Sequence, residues 1–495
     1  APGTWWVHQL AFLLTPEGED ANIDTLVLAA RCSAVAFGLL TVAAVFWLGF
    51  SIGGQRAAML ASLICIAHPA LIYHAHIAAP AIYHTGWAAL SIAAALWAIR
   101  PLKPPPSAER QLIGWVICGL ALGAATLTAG PITGVTVVMP IVILMLICQD
   151  RVGHLMGLLA AMFMGLLIVL PWIIYAHEYD PTSWQQWMLN LSAAPAGAVS
   201  VSDLGLAAGW RVLLVVLMVL PWPLWFLALA VQPFSTSSQG RRIRLILGPI
   251  WFLLTVATLV AMPAGLRMGN LLPAMPASAV ALGQLFNHYA DLAASGRFAR
   301  FWRWLRWPHV LGLIGCSLVV PVALFAEPPI GQFSNMTALL RDPHQWPVPA
   351  AVIVALLIPV GLSIRWAATN FPSKTAVVWA MWTILITGVV AFMLSRGDLA
   401  RNVVRLDAER IDAIAGQRPV YWYAPTPPNA AALLYADRTL QSITEQQLNQ
   451  AMDQAQPFML VLPETLPPPS DRLRYDRMLP DLRMKLWNFD PNQPL

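Results

Sequence analysis

The sequence predicts an all-α polytopic membrane domain followed by a small C-terminal α/β domain, and three observations carry that reading. Of 495 residues, 58% are hydrophobic and only 11% are charged, whereas a soluble domain carries roughly a quarter charged residues. Apolar stretches recur from residue 26 to residue 394, each of about 18–25 residues and long enough to cross a hydrocarbon core of roughly 30 Å as a helix. From residue 396 onward the chain becomes polar and shows short strand-like runs.

Element by element, the apolar stretches place about twelve spans. They fall at 26–50, 57–75, 81–99, 112–129, 131–149, 153–175, 211–233, 244–262, 270–288, 308–327, 348–367 and 374–394. The connecting loops alternate in character. One set holds Gln55-Arg56, Arg100 to Arg110, Asp150-Arg151, Arg241 to Arg244, Arg297 to Arg306 and Arg365 to Lys374. Nearly all the loop Lys and Arg lie there, so this set is expected on the cytoplasmic side. Residues 1–25, the His-rich turn 74–84, loop 176–210, segments 263–269 and 328–347, and the tail then face the exterior. Residue 1 would already be outside, so either a thirteenth span precedes Ala1 or a cleaved signal delivered it there, and the further span is the favoured expectation.

The division that follows is an exterior N-terminal loop (1–25), a transmembrane domain (26–395) and an exterior soluble domain (396–495). In the last, Pro419 to Tyr423 and Phe458 to Leu462 read as strands, with a helix from Thr444 to Ala455 between them. Strand, helix and strand over so short a length suggest a small α/β unit.

The net charge of +5 is a topology signal, because the basic residues sit in short inter-span loops; a nucleic-acid partner is excluded. Cys32, Cys65, Cys118, Cys148 and Cys316 form no CxxC pair and read as small buried hydrophobes. The 22 Trp lie near span ends, as an interfacial belt would require.

Four local patterns stand out. The first is Trp5-Trp6-Val-His-Gln-Leu-Ala-Phe12, with Ala30-Arg31 and the turn from Gly49 to Ala58 behind it. Leu127-Thr-Ala-Gly130-Pro131 to Gly134 breaks one apolar stretch in two. Leu170-Pro171-Trp172 and Leu220-Pro221-Trp222 flank the long loop. Arg267-Met-Gly-Asn270-Leu-Leu-Pro273 opens a span. In this order and spacing they resemble the GT-C class of membrane glycosyltransferases, in the branch of the aminoarabinose lipid A transferases and protein mannosyltransferases. The resemblance implies about thirteen spans, an exterior α/β domain, and transfer of a sugar from a polyprenyl phosphate to an acceptor on the exterior face. It also implies residence in the inner membrane, with membrane lipid around the chain and other membrane subunits as candidate partners.

The departures from that pattern decide the chemistry. Ala1-Pro2-Gly3-Thr4 stands where the family has Lys-Pro-Pro-Leu, and Ala129 stands where it has the lysine of Leu-Thr-Lys-Gly-Pro. The family's Asp after the third span of the full chain falls near Ala81, and only Arg267 survives of a Lys-Arg pair. In the family an acidic side chain activates the acceptor while cations hold the departing lipid phosphate. Loss of a general base costs about 10²–10⁴-fold. Glu17, Glu19, Asp20, Asp24, Glu178, Asp180 and Asp203 lie in exterior loops and could substitute, although loop carboxylates are more often simply solvated.

The candidate substrate-binding residues are therefore Arg267, Asn270, Trp6, Trp172, His76 and His84, with no catalytic residue assigned. His68, His74, His76 and His84 cluster at one junction. A zinc or haem site there is outweighed by polar capping of a helix junction, because no Cys or carboxylate lies near in sequence. No metal or other cofactor is expected, and the sequence gives no indication of a divalent cation. Arg31 and Arg211 read as snorkelling anchors, and the Arg297 to Arg306 run as an interfacial helix on anionic lipid.

Two functional classes remain open: a polyprenyl-phosphate-sugar glycosyltransferase, or a GT-C-derived scaffold whose cavity has lost its charges. A transporter is disfavoured, because the span interiors are nearly free of ionisable residues.

Overall fold

A computed structural model describes residues 7, 9–10, 23–76, 79–99, 107–147, 151–179, 239–261, 271–292, 307–317, 347–367, 372–396, 418–423, 440–443, 445–454, 457–463, 473–479 and 484–489. It also describes single positions between these, among them Trp184, Trp187, Trp222 and Trp225. The chain divides into two compact units. One comprises Ala1–Val322 and Pro347–Val389, the other Ala323–Trp346 and Val390–Leu495.

The first unit is helical: α1 (Ile23–Ile66), α2 (Pro69–His76), α3 (Pro80–Ile99), α4 (Ala108–Ala129), α5 (Met139–Ile147), α6 (Arg151–Tyr179), α7 (Gln239–Ala261), α8 (Ala274–Leu292), α9 (Pro347–Ala367) and α10 (Pro372–Arg396). Residues 307–317 are helical as well. Among the described residues, four helices have the length and apolarity to cross a membrane: Leu28–Ile66, Pro80–Ile99, Ala108–Ile132 and Val152–Tyr179.

α1 is two helices in one. Gly54 sits at φ 80, ψ −174, a conformation reserved for glycine. A Cβ on Gly49 would lie 2.7 Å from Ala58 Cα, and one on Gly38 would lie 3.3 Å from Ala75 Cβ. The two limbs therefore fold back on each other, as the expected spans 26–50 and 57–75 require.

Packing is built on small residues, which let helix backbones approach closely. A Cβ on Gly119 would lie 2.7 Å from Ala161 O, and one on Gly123 would lie 2.9 Å from Gly165 O, so α4 and α6 cross backbone to backbone. α4 starts at Ser107, whose hydroxyl accepts from Arg110 N–H at 3.4 Å, a standard N-cap. The Arg110 guanidinium lies 4.5 Å from the Trp97 ring centroid, a cation–π contact tying the start of α4 to the end of α3. α8 is buried on every face from Leu271 to Phe286, as expected of a helix that is apolar all round.

Two readings of residue placement need correction. Trp222, Trp225, Trp251 and Trp379 are core residues, each at most 2% exposed, not members of an interfacial belt. Trp222, Trp225 and Trp379 form a box with Phe286, and His309 stacks on Trp379 at 4.7 Å. Large aromatics bury more apolar area than any other side chain, and small helix-packing residues leave room for them. Cys65 and Cys118 are buried as expected, but Cys32 and Cys316 are exposed. Where lipid surrounds a helix bundle, an apolar thiol has no need to face inward.

The second unit carries a five-stranded sheet of order β2-β1-β3-β5-β4. Its strands are β1 (Val420–Trp422), β2 (Leu440–Ser442), β3 (Phe458–Pro463), β4 (Arg474–Leu479) and β5 (Met484–Phe489), and α11 (Glu445–Asp453) lies between β2 and β3. β1 runs parallel to β2 and β3, and β5 runs antiparallel to β3 and β4. β3 is central and buried on both faces, which explains its unbroken apolar sequence. Leu448 and Met452, one turn apart on α11, pack in one cluster with Phe458, Leu460 and Leu462.

Candidate functional site

The best-defined polar construction in the helical unit surrounds the break after α4. The helix stops at Ala129 because Gly130 adopts φ 80, ψ −162 and Pro131 follows. A 3₁₀ turn (Gly130–Ile132) and a π-helical segment (Gly134–Val138) then lead into α5. π segments are rare and are frequently found at functional sites.

One side chain, Trp187, clamps this break directly. Trp187 donates its indole N–H to Thr126 O at 3.1 Å, a carbonyl that also accepts from Gly130 N–H. The Trp187 carbonyl lies 2.7 Å from where a Cβ on Gly130 would sit; only glycine lets the two backbones meet. Trp187 in turn packs on Trp172 at 4.9 Å and Trp184 at 5.5 Å, and His177 lies 6.0 Å from Trp184. The break in Leu127 to Gly134 and the Pro171-Trp172 motif on α6 thus converge on one aromatic cluster.

His84, on the first turns of α3, reaches the same break from another side. Its Nδ1 lies 3.3 Å from Ala125 O and its Nε2 lies 3.4 Å from Thr136 Oγ1. A carbonyl can only accept, so Nδ1 carries the proton and donates. Thr136 Oγ1 also lies 3.3 Å from Ile132 O, so its single proton serves either the imidazole or that carbonyl. Thr128 donates to Ala125 O at 2.7 Å. Thr133, between the 3₁₀ turn and the π segment, has a buried hydroxyl with no hydrogen-bond partner among the described residues.

One residue earlier than His84, Tyr83 OH lies 2.8 Å from Ser33 Oγ, which donates to Ala30 O at 2.7 Å. The start of α3 is thereby pinned to α1 on one side and to the α4 break on the other. Ala81 and Ala129 are both half-buried and pack against the hydrophobic core.

A second junction lies at the entry to α8. His68, between α1 and α2, faces Ser278 with Nε2 to Oγ at 2.8 Å, and Ser278 donates to Met275 O at 2.8 Å. Ser278 therefore accepts from His68 Nε2–H. The histidine links the His-rich turn to the helix that the Arg267-to-Pro273 motif opens.

Of the candidate site residues, Trp172 is half-buried in the aromatic cluster, His84 is buried with both ring nitrogens engaged, and His76 is exposed at the end of α2. Arg267, Asn270 and Trp6 lie outside the described residues. Trp184, Trp187, Thr133 and Thr136 did not emerge from the sequence. The only hint was the Trp184-x-x-Trp187 spacing, one helical turn, within the long loop. Among the described residues no group of three or more His, Cys, Asp or Glu could hold a metal ion.

Comparison with known proteins agrees with the order of the motifs. Residues 6–185 match the sequence model of the dolichyl-phosphate-mannose-protein mannosyltransferases. The undecaprenyl phosphate-alpha-4-amino-4-deoxy-L-arabinose arabinosyl transferase 1 of Pseudomonas fluorescens is 28% identical over 224 residues. That match takes in 44% of this chain and 36% of the relative, about a third of its length. Two solved structures of ArnT from Cupriavidus metallidurans, one apo and one bound to undecaprenyl phosphate, each superpose with a TM-score of 0.69 at 17% identity. Each alignment covers 98% of this chain and 87% of ArnT. The chain has the ArnT fold. Its resemblance to the aminoarabinose transferase and mannosyltransferase branch, read above from four motifs, is found independently in sequence and in fold. The matched region 6–185 contains the α4 break, His84, Trp172 and Trp184, and ends two residues before Trp187.

Proposed function

We propose that this chain is a GT-C-like glycosyltransferase of the inner membrane, moving a sugar from a polyprenyl-phosphate donor to an acceptor at the exterior face. The observation that carries the reading is the superposition on ArnT over nearly the whole chain, including the form bound to undecaprenyl phosphate. In this reading about twelve helices cross the membrane and the sheet-bearing unit is periplasmic. Arg267 is the cation for the lipid phosphate, because a charge-assisted contact is strongest where water is excluded. Asn270 and Trp6 are the further substrate-binding candidates, and the tilted Trp172–Trp184–Trp187 cluster supplies an apolar aromatic surface of the kind that packs against a polyprenyl chain or a sugar face. His84 holds the break that shapes this surface, and His76 lies at the rim. No cofactor is assigned.

One observation favours the alternative, a catalytically degenerate scaffold that assembles with other membrane subunits. Ala81 and Ala129 occupy positions charged in the resembled family, and both pack as ordinary apolar residues. A cavity for a lipid phosphate in low dielectric needs compensating charge, since uncompensated burial costs several kcal/mol.

The test is direct. Purified chain in nanodiscs is titrated with undecaprenyl phosphate and, separately, assayed for sugar transfer from an undecaprenyl-phosphate-linked donor. The enzyme reading expects binding that Arg267→Ala weakens by about 1.5–3 kcal/mol, together with turnover. Binding without turnover, with turnover appearing in Ala81→Asp, supports the scaffold. Absence of binding removes the lipid from both.

A further inference from the structure

We propose, resting on the sugar-transfer reading above, that the break after α4 is the sugar end of the donor site and that the Thr133 hydroxyl donates to a hydroxyl of the transferred sugar.

Thr133 carries a donor that the fold itself does not use. A threonine inside a helix commonly donates back along its own helix. Thr41, Thr85, Thr126 and Thr383 each do so, to Phe37 O, Ala81 O, Leu122 O and Trp379 O at 2.7–2.8 Å. Thr133 makes no such bond. Its side chain is 0% exposed, and its hydroxyl has no partner among the described residues. The carbonyl four residues earlier belongs to Ala129, beyond the turn that Gly130 makes at φ 80. A buried hydroxyl left unmatched lowers stability, and such groups call for a functional account.

A ligand has a way to this hydroxyl. Gly134, the next residue, is exposed, and nothing lies within 4 Å of where its Cβ would stand. Threonine divides between two χ1 wells in helical backbone, so rotation turns the hydroxyl toward a group lying beside Gly134. Thr136 cannot take this role, because its one proton already serves His84 Nε2 or Ile132 O.

The donor lipid has three parts, and the break suits one of them. A prenyl chain has no acceptor and would leave the Thr133 hydroxyl unmatched. A buried phosphate needs compensating charge, and Ala81 and Ala129 pack here as apolar residues. A sugar is uncharged, its hydroxyls accept as well as donate, and its C–H face packs on aromatic rings. Trp187 meets the same turn, with its carbonyl against Gly130 and its indole N–H on Thr126 O, and Trp172 lies 4.9 Å from it. A neutral donor and an aromatic surface thus flank one turn of the chain.

The experiment titrates the full chain in nanodiscs with undecaprenyl phosphate, and with undecaprenyl phosphate carrying one mannosyl or one 4-amino-4-deoxy-L-arabinosyl residue. Wild type is expected to hold one of the glycosylated lipids more tightly than undecaprenyl phosphate. Thr133→Val should weaken that glycosylated lipid roughly three- to tenfold, the factor for one neutral hydrogen bond, and leave undecaprenyl phosphate unchanged. Thr133→Ser should restore the difference, and Gly134→Leu should weaken the glycosylated lipid by closing the open side of the turn. Ser62→Ala, which removes another buried hydroxyl without a partner among the described residues, should alter neither. The melting temperature of unliganded Thr133→Val should not fall, which separates a ligand contact from a structural one; should that variant not fold, Thr133→Ala gives the same reading. Equal affinity of wild type for all three lipids, an undiminished preference in the folded variant, or an equal loss for glycosylated and bare lipid would overturn this proposal alone. Wild type that binds none of the three would overturn the sugar-transfer reading and this proposal with it.

Discussion

Replacing Gly130 by alanine separates backbone strain from the Trp187 clamp, because the fold contains its own control. Gly54 and Gly130 share nearly one backbone conformation, φ 80 with ψ −174 and −162 respectively. A side chain in that region costs about 1–3 kcal/mol. Around Gly54 nothing lies within 4 Å of a built Cβ, so Gly54→Ala should show that strain alone. At Gly130 the same Cβ meets the Trp187 carbonyl at 2.7 Å, and a backbone atom cannot rotate aside. Trp187 must then move, losing its hydrogen bond to Thr126 O, which contributes about 0.5–1.5 kcal/mol, and part of the burial of its indole. Gly130→Ala is expected to cost about 2–4 kcal/mol on the same scale. Hydrogen exchange of peptides spanning 126–136 and 184–187, in nanodiscs, measures both variants. Gly130→Ala should accelerate exchange in both peptides, whereas Gly54→Ala should leave them unchanged. Trp187→Phe should be strongly non-additive with Gly130→Ala, since the two changes break one contact. Equal costs for the two glycine variants, or additive effects in the double mutant, would refute the clamp.

Three further outcomes follow from the hydrogen bonds. Thr133→Val, which swaps a buried unpartnered hydroxyl for a methyl, should be neutral or stabilising in a thermal melt, whereas Thr136→Val should cost about 1–3 kcal/mol by leaving His84 Nε2 unmatched. Ser278→Ala should cost a similar amount, about 1–3 kcal/mol, by removing the acceptor of His68 Nε2–H, and Ser278→Thr should recover most of it. Maleimide applied from outside should label a cysteine at Ser200 and spare one at Ser237 if the distribution of Lys and Arg among the loops sets the topology; the reverse pattern would invert it.

Much of the helical unit was legible because membrane helices announce themselves by length and apolarity. The hairpin at Gly54 was readable for a second reason, since Gly53-Gly54-Gln55-Arg56 puts two turn formers beside a charge. The sheet was harder. β3 reads as Phe458 to Leu462 because a central strand is apolar on both faces. β4 (Arg474–Leu479) and β5 (Met484–Phe489), by contrast, mix polar and apolar residues without a regular alternation, so composition alone does not mark them as strands. The expected strand at 419–423 is shorter than its apolar run, at Val420–Trp422. Around the α4 break, Gly130-Pro131 marked a discontinuity, but nothing in a single sequence distinguishes a π segment from an α-helix. A π segment needs one extra residue per turn; here His84 meets it at Thr136, and Trp187 clamps the Gly130 turn just before it. They lie 52 and 51 residues away from Thr136, so local pattern could not reveal them.

The same geometry shows that the α4 break stands without charged side chains. The break is held by a glycine conformation, an indole N–H on a carbonyl, and a neutral imidazole between Ala125 and Thr136, none of which requires an ion. A buried carboxylate or lysine near positions 81 and 129 would carry a desolvation penalty of several kcal/mol, and alanine at both positions removes it. In the scaffold reading, alanine at both positions stabilises the unliganded state, while the absence of a lysine at 129 lowers the attraction for a lipid phosphate and the absence of a carboxylate at 81 removes a candidate base, the usual exchange between stability and activity at a functional site. If Ala81→Asp restores turnover, it should also lower the melting temperature, and undecaprenyl phosphate should then recover part of that loss by binding the folded state. A variant that gained activity with no loss of stability would show that position 81 is not desolvated, and that its neutrality has a different origin.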